Sequence, residues 1–371
     1  MNDYRMSPRE RVLKGLNHEP TDRIPMSLGF GVNKPAKIEL MKHLNYSTLD
    51  QVDEFLLSHS DFRWVEPDYT GPADRNIKNA DGSYTDIWGV RRKMVSYGPG
   101  EYDEIDYYPL SQCFDIRDLD SYLRPSADWF DYSSLKQKIR KAKKHDDYAI
   151  IVGSGNIFES SWYMRGLENM LMDLITDPDL ASEIMTRVTD FFIEYFSRCL
   201  EAAEGEIDIV FTADDLGQQN GLIMSPRHWE ELIKPHHKRM NDVLHSFGVK
   251  IMYHTDGAVM EVIEGLMDMG IDILEALQFD AEGMDPVLMK KLYGHNLCFH
   301  GGVSVQSTLP YGTVDDVKNE VLSRIEVLGD QGGYILAPSH AIQAGTPVEN
   351  ILAFLETPNK NTAKGTINNE K

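Results

Sequence analysis

The sequence predicts an α/β fold, a (β/α)8 TIM barrel with a β-rich insertion after the second strand. Three observations carry this. Short β-branched runs alternate with longer amphipathic runs along most of the chain. Eight such short runs occur, and eight parallel strands close most simply into a barrel. No glycine-rich dinucleotide fingerprint follows any of them, which weighs against an open doubly wound sheet.

The elements follow in order. Ser7-Pro8 ahead of Arg9 to Leu16 reads as a capped helix with proline in its first turn. Arg23 to Leu28 is the first strand, helices are expected near Pro35 to His43 and Leu49 to Leu57, and Phe62 to Val65 is the second strand. From Gly82 to Leu110 the chain is rich in Tyr, Gly and β-formers, a pattern of hairpins rather than of a crossover helix. Leu135 to Lys144 is a basic helix, and Tyr148 to Val152 is a strand buried on both faces. Helices are expected at Trp162 to Leu174 and Pro178 to Ala203, then a strand at Ile207 to Thr212. The helix Pro226 to Phe247 leads to the strand Val249 to His254. Val259 to Met269, Pro286 to Tyr293 and Val314 to Leu328 are helical, separated by strands at Ile271 to Ala276 and Asn296 to His300. Gly333 to Ala337 is the eighth strand, and Pro347 to Leu355 is the last helix. This makes residues 1–357 a single domain and 358–371 a flexible, Asn/Lys/Thr-rich tail.

Composition bounds the function. The 371 residues are 42% hydrophobic and 26% charged, ordinary globular values. A net charge of -22 argues against a nucleic-acid or anionic-membrane binder, because phosphate affinity comes from Lys and Arg. Three cysteines, none in a CxxC pair, make no disulfide framework and suit a reducing, cytoplasmic setting. The polar start does not read as a signal peptide, and no apolar run approaches the roughly 20 residues of a membrane helix.

A barrel of this kind carries its chemistry at the C-terminal strand ends. His254 and Asp256 stand two apart on an extended segment, so both side chains point the same way. With His340, after the eighth strand, they make a two-imidazole, one-carboxylate set suited to zinc, iron or manganese. The plain alternative is a turn at Asp256-Gly257 with His254 as a core histidine. Asp214 and Asp215 are adjacent acids at a strand end, and either could hold a cation, share a proton or meet substrate. Glu159 and Arg165 flank an aromatic cluster containing Trp162, where Arg165 could clamp a carboxylate or simply form a salt bridge. Gln218, Gln278 and His300 also follow strands and are candidate substrate contacts.

At these residues the sequence resembles the uroporphyrinogen decarboxylase superfamily, in its methyltransferase-like branch. The motifs are Arg9-Glu-Arg-Val-Leu…His18-Glu-Pro-x-Asp22-Arg-Ile-Pro25, Tyr253-His-Thr-Asp-Gly257, Gly301-Gly-Val…Gln306-x-Thr-Leu309 and Gly332-Gly-Tyr…Ala337-Pro-x-His340. The resemblance implies a (β/α)8 barrel. It implies, by position, that His254, Asp256 and His340 stand where methyltransferase relatives bind zinc through His and Cys, both thiolates being replaced by harder ligands. It implies a metal-dependent enzyme moving a methyl group between a small methylated substrate and a corrinoid. No Asp-x-His-x-x-Gly corrinoid motif is present, so a partner protein would supply the corrinoid. Asp215 and Glu159 would then position substrate or transfer protons. The alternative is decarboxylation of uroporphyrinogen or another aromatic acid, for which Asp61 matches the catalytic aspartate. Against it, Met26-Ser-Leu-Gly-Phe-Gly-Val-Asn33 replaces the decarboxylases' arginine-rich segment and carries no arginine. A non-catalytic barrel binding a tetrapyrrole or small ligand is a third reading.

Overall fold

The computed structural model describes residues 5–97 and 100–361. Seven strands form one parallel sheet in sequential order: β1 (Phe62–Trp64), β2 (Ala149–Asn156), β3 (Ile209–Ala213), β4 (Lys250–His254), β5 (Ile273–Ala276), β6 (Cys298–Val303) and β7 (Tyr334–Pro338). The segment expected as the first strand is not a regular strand, but its backbone bonds to both sheet edges. Ser27 N donates to Leu336 O and Leu336 N to Pro25 O, while Asp61 N donates to Met26 O. The curled sheet, with helices around it, is therefore a (β/α)8-barrel-like α/β fold. Proline at positions 20 and 25 limits how far this edge segment can extend its ladder.

Alternation along the strands divides the core in two. Inward-facing residues such as Phe62, Ile151, Ile209, Met252, Ile273 and Cys298 form a compact cluster inside the barrel. Outward-facing residues join the larger core under the helices. Helix α1 (Pro8–Leu16), capped by Ser7 Oγ on Glu10 N, adds Val12 and Leu16 to the inner cluster. Each such fully buried aliphatic side chain contributes about 1.5–3 kcal/mol.

Several helices differ from expectation for identifiable reasons. The helix expected at Trp162 to Leu174 is two, α2 (Ile157–Arg165) and α3 (Leu167–Thr176), because Gly166 adopts φ +92 and turns the chain. Helix α4 (Pro178–Ala203) has the bounds the pattern predicts. The long helix expected from Pro226 is interrupted by a π-helical stretch, Trp229–Ile233, before α5 (Lys234–His245). Pro235 has no N–H to give to the regular ladder there. The last helix, α6 (Val348–Asn361), continues past Pro358, and residues 362–371 lie outside the described residues.

Between β1 and β2 the chain lays down four antiparallel strands, Ile77–Lys78, Tyr84–Thr85, Arg91–Tyr97 and Gly100–Tyr107. Trp88 anchors this sheet edge-on against Phe191 and Phe192 of α4, at ring-centroid distances of 5.1 and 5.7 Å. Among the described residues no helix is long and apolar enough to cross a membrane.

Candidate active site

Strand register assembles the site. His254, Glu275 and His300 stand side by side at one level of β4, β5 and β6. Two residues earlier on each strand, Met252, Ile273 and Cys298 make an apolar layer. The barrel interior thus changes from apolar to polar within one step of the alternation, at the C-terminal rim.

His254 is buried, and its Nδ1 makes a short hydrogen bond with Glu275 Oε2. That leaves Nε2 for the rim, where Asp215 Oδ1 lies 3.3 Å away. One ligand atom from each of His254, Asp256 and His340 lies within 4.8 Å of the other two, and His340 Nε2 is 4.0 Å from Asp256 Oδ2. The loop bearing Asp256 is pinned. Gln278 Oε1 accepts from Gly257 N at 2.9 Å, and Thr255 Oγ1 accepts from Leu216 N at 3.0 Å. Gly257 sits at φ +83 so close to the next loop that a Cβ would meet Gly217 C at 2.4 Å, which only glycine tolerates. The trio matches the donor chemistry of a divalent-metal site with open positions, and Glu275 is the outer carboxylate that fixes an imidazole's tautomer.

Charge is crowded here. Burial opposes ionising Glu275, yet the facing His254 holds its carboxyl down to about 2. Burial likewise opposes a charge on His254, but Glu275 and Asp215 raise its pKa well above the usual histidine value. Burial, with Asp215 and Glu275 nearby, raises Asp256. Glu159, in the first turn of α2, is pushed up to about 7 by burial and then by the charges of Asp215 and Asp214. Tyr163 Oη donates to its Oε1 at 2.8 Å and Asn156 Nδ2 to its Oε2 at 2.5 Å.

A cavity of about 570 Å³ opens beside the trio, walled by Leu28, Phe30, Val32, Phe62, Trp64 and Phe211. Phe30 joins the two, its ring 4.8 Å from that of His254 and 4.9 Å from that of His340. The cavity's lysine and aspartate, Lys37 and Asp53, are paired with each other at 2.6 Å. No periodic pattern marks this wall in the sequence, since Phe30 lies in a turn.

Other expected residues are placed differently. Asp214 is fully buried and does not face the mouth. Its oxygens accept from Phe158 N and Glu159 N at 2.8 and 2.7 Å and pair with His237 Nε2 at 2.5 Å, so it caps α2 rather than meeting substrate. Arg165 is not a free carboxylate clamp, because Asp173 Oδ2 holds its Nε at 2.7 Å and the Leu110 and Ser111 carbonyls hold its Nη1. Asp61 precedes β1, at the opposite end of the barrel from the trio. Arg11, Arg23 and Met26 N occupy its carboxylate at 2.7–2.9 Å, so it makes a structural clamp where catalysis was expected. His300 is buried, with Nδ1 3.7 Å from Glu275 Oε1, behind that carboxylate rather than at the mouth. Trp162 packs on Tyr163 with ring centroids 4.2 Å apart. Gln218 is exposed in a short hairpin, and Gln278 Nε2 is buried without a hydrogen-bond partner in the protein. Glu275 was passed over in sequence. Its register opposite His254 is the signal that finds it.

The fold and site define the class: a parallel barrel whose C-terminal rim gathers imidazole and carboxylate groups, three of them placed so that they could hold a metal ion. Residues 95–360 match the family model described as uroporphyrinogen decarboxylase (URO-D), and the chain belongs to that family. It is 26% identical over 205 residues to a methylated-thiol–coenzyme M methyltransferase of Methanosarcina mazei, covering 54% of this chain. The chain spans about half, 51%, of that curated relative. Its fold matches that of a solved methyltransferase from Methanosarcina mazei over 96% of this chain and 99% of the other, with a TM-score of 0.69 at 20% identity.

Proposed function

We propose that this URO-D family protein is a metal-dependent methyltransferase, moving a methyl group between a small methylated substrate and a corrinoid carried by a partner protein. The observation that carries the reading is the convergence of His254, Asp256 and His340 beside an aromatic-walled cavity. The similarity to a methylated-thiol–coenzyme M methyltransferase supports it.

His254 Nε2, Asp256 and His340 would hold the ion, with zinc the first expectation. When bound, it would supply Lewis acidity at the heteroatom that carries or accepts the methyl group. Glu275 keeps His254 in the tautomer that presents Nε2. Phe30, Trp64 and Phe211 would face the apolar part of the substrate. Glu159, whose carboxyl is raised to about 7, is the group suited to accept or return a proton near neutral pH.

The cavity disfavours a polycarboxylate substrate. Its one lysine is already paired, and the expected arginines are absent from residues 26–33. Asp61, required by the decarboxylase reading, stands at the wrong end of the barrel. The test is anaerobic incubation with cob(I)alamin, zinc and a panel of methylated thiols, ethers and amines, followed by absorption of methyl-cobalt. Formation with one substrate, abolished in His254→Ala, is expected. Conversion of uroporphyrinogen with no methyl-cobalt from any substrate would overturn the reading.

A further inference from the structure

We infer that Asp215 is a fourth, exchangeable ligand of the metal centre; this rests on the metal reading above. Glu275 occupies Nδ1 of His254, so Nε2 is the nitrogen that faces the ion. Asp215 Oδ1 lies 3.3 Å from that Nε2. Ligand atoms bound at about 2.0–2.1 Å to a tetrahedral ion stand roughly 3.3–3.4 Å apart. Asp215 therefore already sits one coordination edge from the imidazole nitrogen. The trio of His254, Asp256 and His340 converges without it, and Asp215 joins from the His254 side.

Two further observations separate Asp215 from an ordinary rim acid. The loops bearing Asp215 and Asp256 are locked together. Asp256 N donates to Asp215 Oδ1 at 3.4 Å, Leu216 N donates to Thr255 Oγ1 at 3.0 Å, and a Cβ on Gly217 would meet Asp256 O at 2.5 Å. Its carboxylate thus follows the metal-binding loop rather than drifting in solvent. Its side chain is also 46% exposed, against 2% for Glu275 and none for neighbouring Asp214. Asp214 has both oxygens committed to backbone amides and His237. Asp215 has the freedom to turn onto the ion and to leave it when a substrate heteroatom takes its place.

The experiment uses the full chain, stripped of metal and reloaded. Zinc affinity is measured by competition with a chromophoric chelator for wild type, Asp215→Ala and Asp215→Asn, and the cobalt(II) form of each is read by its visible absorption. Circular dichroism checks folding, and Asp215→Asn preserves side-chain shape where the alanine variant fails to fold. Loss of even an outer partner of a metal ligand costs about 10–100-fold in affinity, so a loss at least that large is expected. The cobalt spectrum is expected to change as solvent replaces the carboxylate. Unchanged affinity and spectrum in both variants would overturn Asp215 as a ligand while leaving the metal reading in place. Failure of the wild type to bind zinc or cobalt overturns both.

Discussion

Replacing Glu159 by glutamine should stabilise the protein, and only above acidic pH. Its carboxyl titrates near 4.5 when solvated and is raised to about 7 in the fold, by burial first and then by the charges of Asp215 and Asp214. The native state therefore keeps this proton across a range in which the unfolded chain has released it. The associated stability is complete below about pH 4.5 and is lost as pH rises through about 7. The two values are about 2.5 pH units apart, and at about 1.4 kcal/mol per unit the loss amounts to about 3 kcal/mol. The residue is 6% exposed, so solvent screening takes little of this. Glutamine does not ionise and avoids the loss. It also fits: Tyr163 Oη can donate to its carbonyl oxygen, and Asn156, whose Oδ1 is buried without a partner, can turn to accept from the new amide. The assay is urea unfolding followed by circular dichroism from about pH 4 to about pH 8. The stability of Glu159→Gln relative to wild type should rise by about 3 kcal/mol across that interval. Parallel pH curves for the two proteins would refute the assignment of a raised carboxyl at this position.

Glu275→Gln keeps the shape of the side chain but removes the charge opposite His254 Nδ1, and zinc affinity should fall about 10–100-fold in a chelator competition titration. Asp61→Asn leaves buried Arg11 short of one partner and Arg23 of its own, so a loss of about 3–5 kcal/mol in urea unfolding is expected, with zinc affinity of the folded protein unchanged. Phe30→Ala removes a ring 42% exposed that lies against both histidines. It should cost no more than about 1 kcal/mol of stability yet raise KM for the methylated substrate roughly tenfold, the equivalent of about 1.4 kcal/mol of lost contact.

What the sequence could disclose follows the range of the physics involved. The trio His254, Asp256 and His340 was readable because it depends on local rules: side chains alternate along a strand, and a barrel presents its strand ends on one rim. Helix α4 was readable to its ends because an Asp177 cap, a first-turn proline and an uninterrupted apolar stripe agree. Asp215 could be favoured only slightly over Asp214 as the inward acid, since adjacent residues face opposite ways and one residue of register decides which is buried. The Arg165 partner was hidden by Gly166. The glycine ends one helix and starts another, so Asp173 is reached across a bend rather than at helical spacing. Asp61 was misplaced for a different reason. The sequence already sets it ahead of the strand at Phe62 to Val65, the barrel end away from the rim, and its catalytic role came only from the resemblance to the decarboxylases.

The barrel's inner wall explains why the chemistry sits where it does. Along β4, β5 and β6 the same inward-facing rows supply Met252, Ile273 and Cys298, then His254, Glu275 and His300 two residues on. The lower layer closes with dispersion and burial alone. The upper layer buries an imidazole and a carboxylate, which is costly unless each satisfies the other, and the His254–Glu275 pair does so. That pairing uses one face of His254 and leaves the other directed at Asp215, Asp256 and His340. An isolated core histidine would need only one partner. Here three further ligand-capable groups, Asp215, Asp256 and His340, lie on the remaining nitrogen side. A divalent cation bound among them would satisfy the free imidazole nitrogen and the carboxylates together, as the proposed metal centre requires.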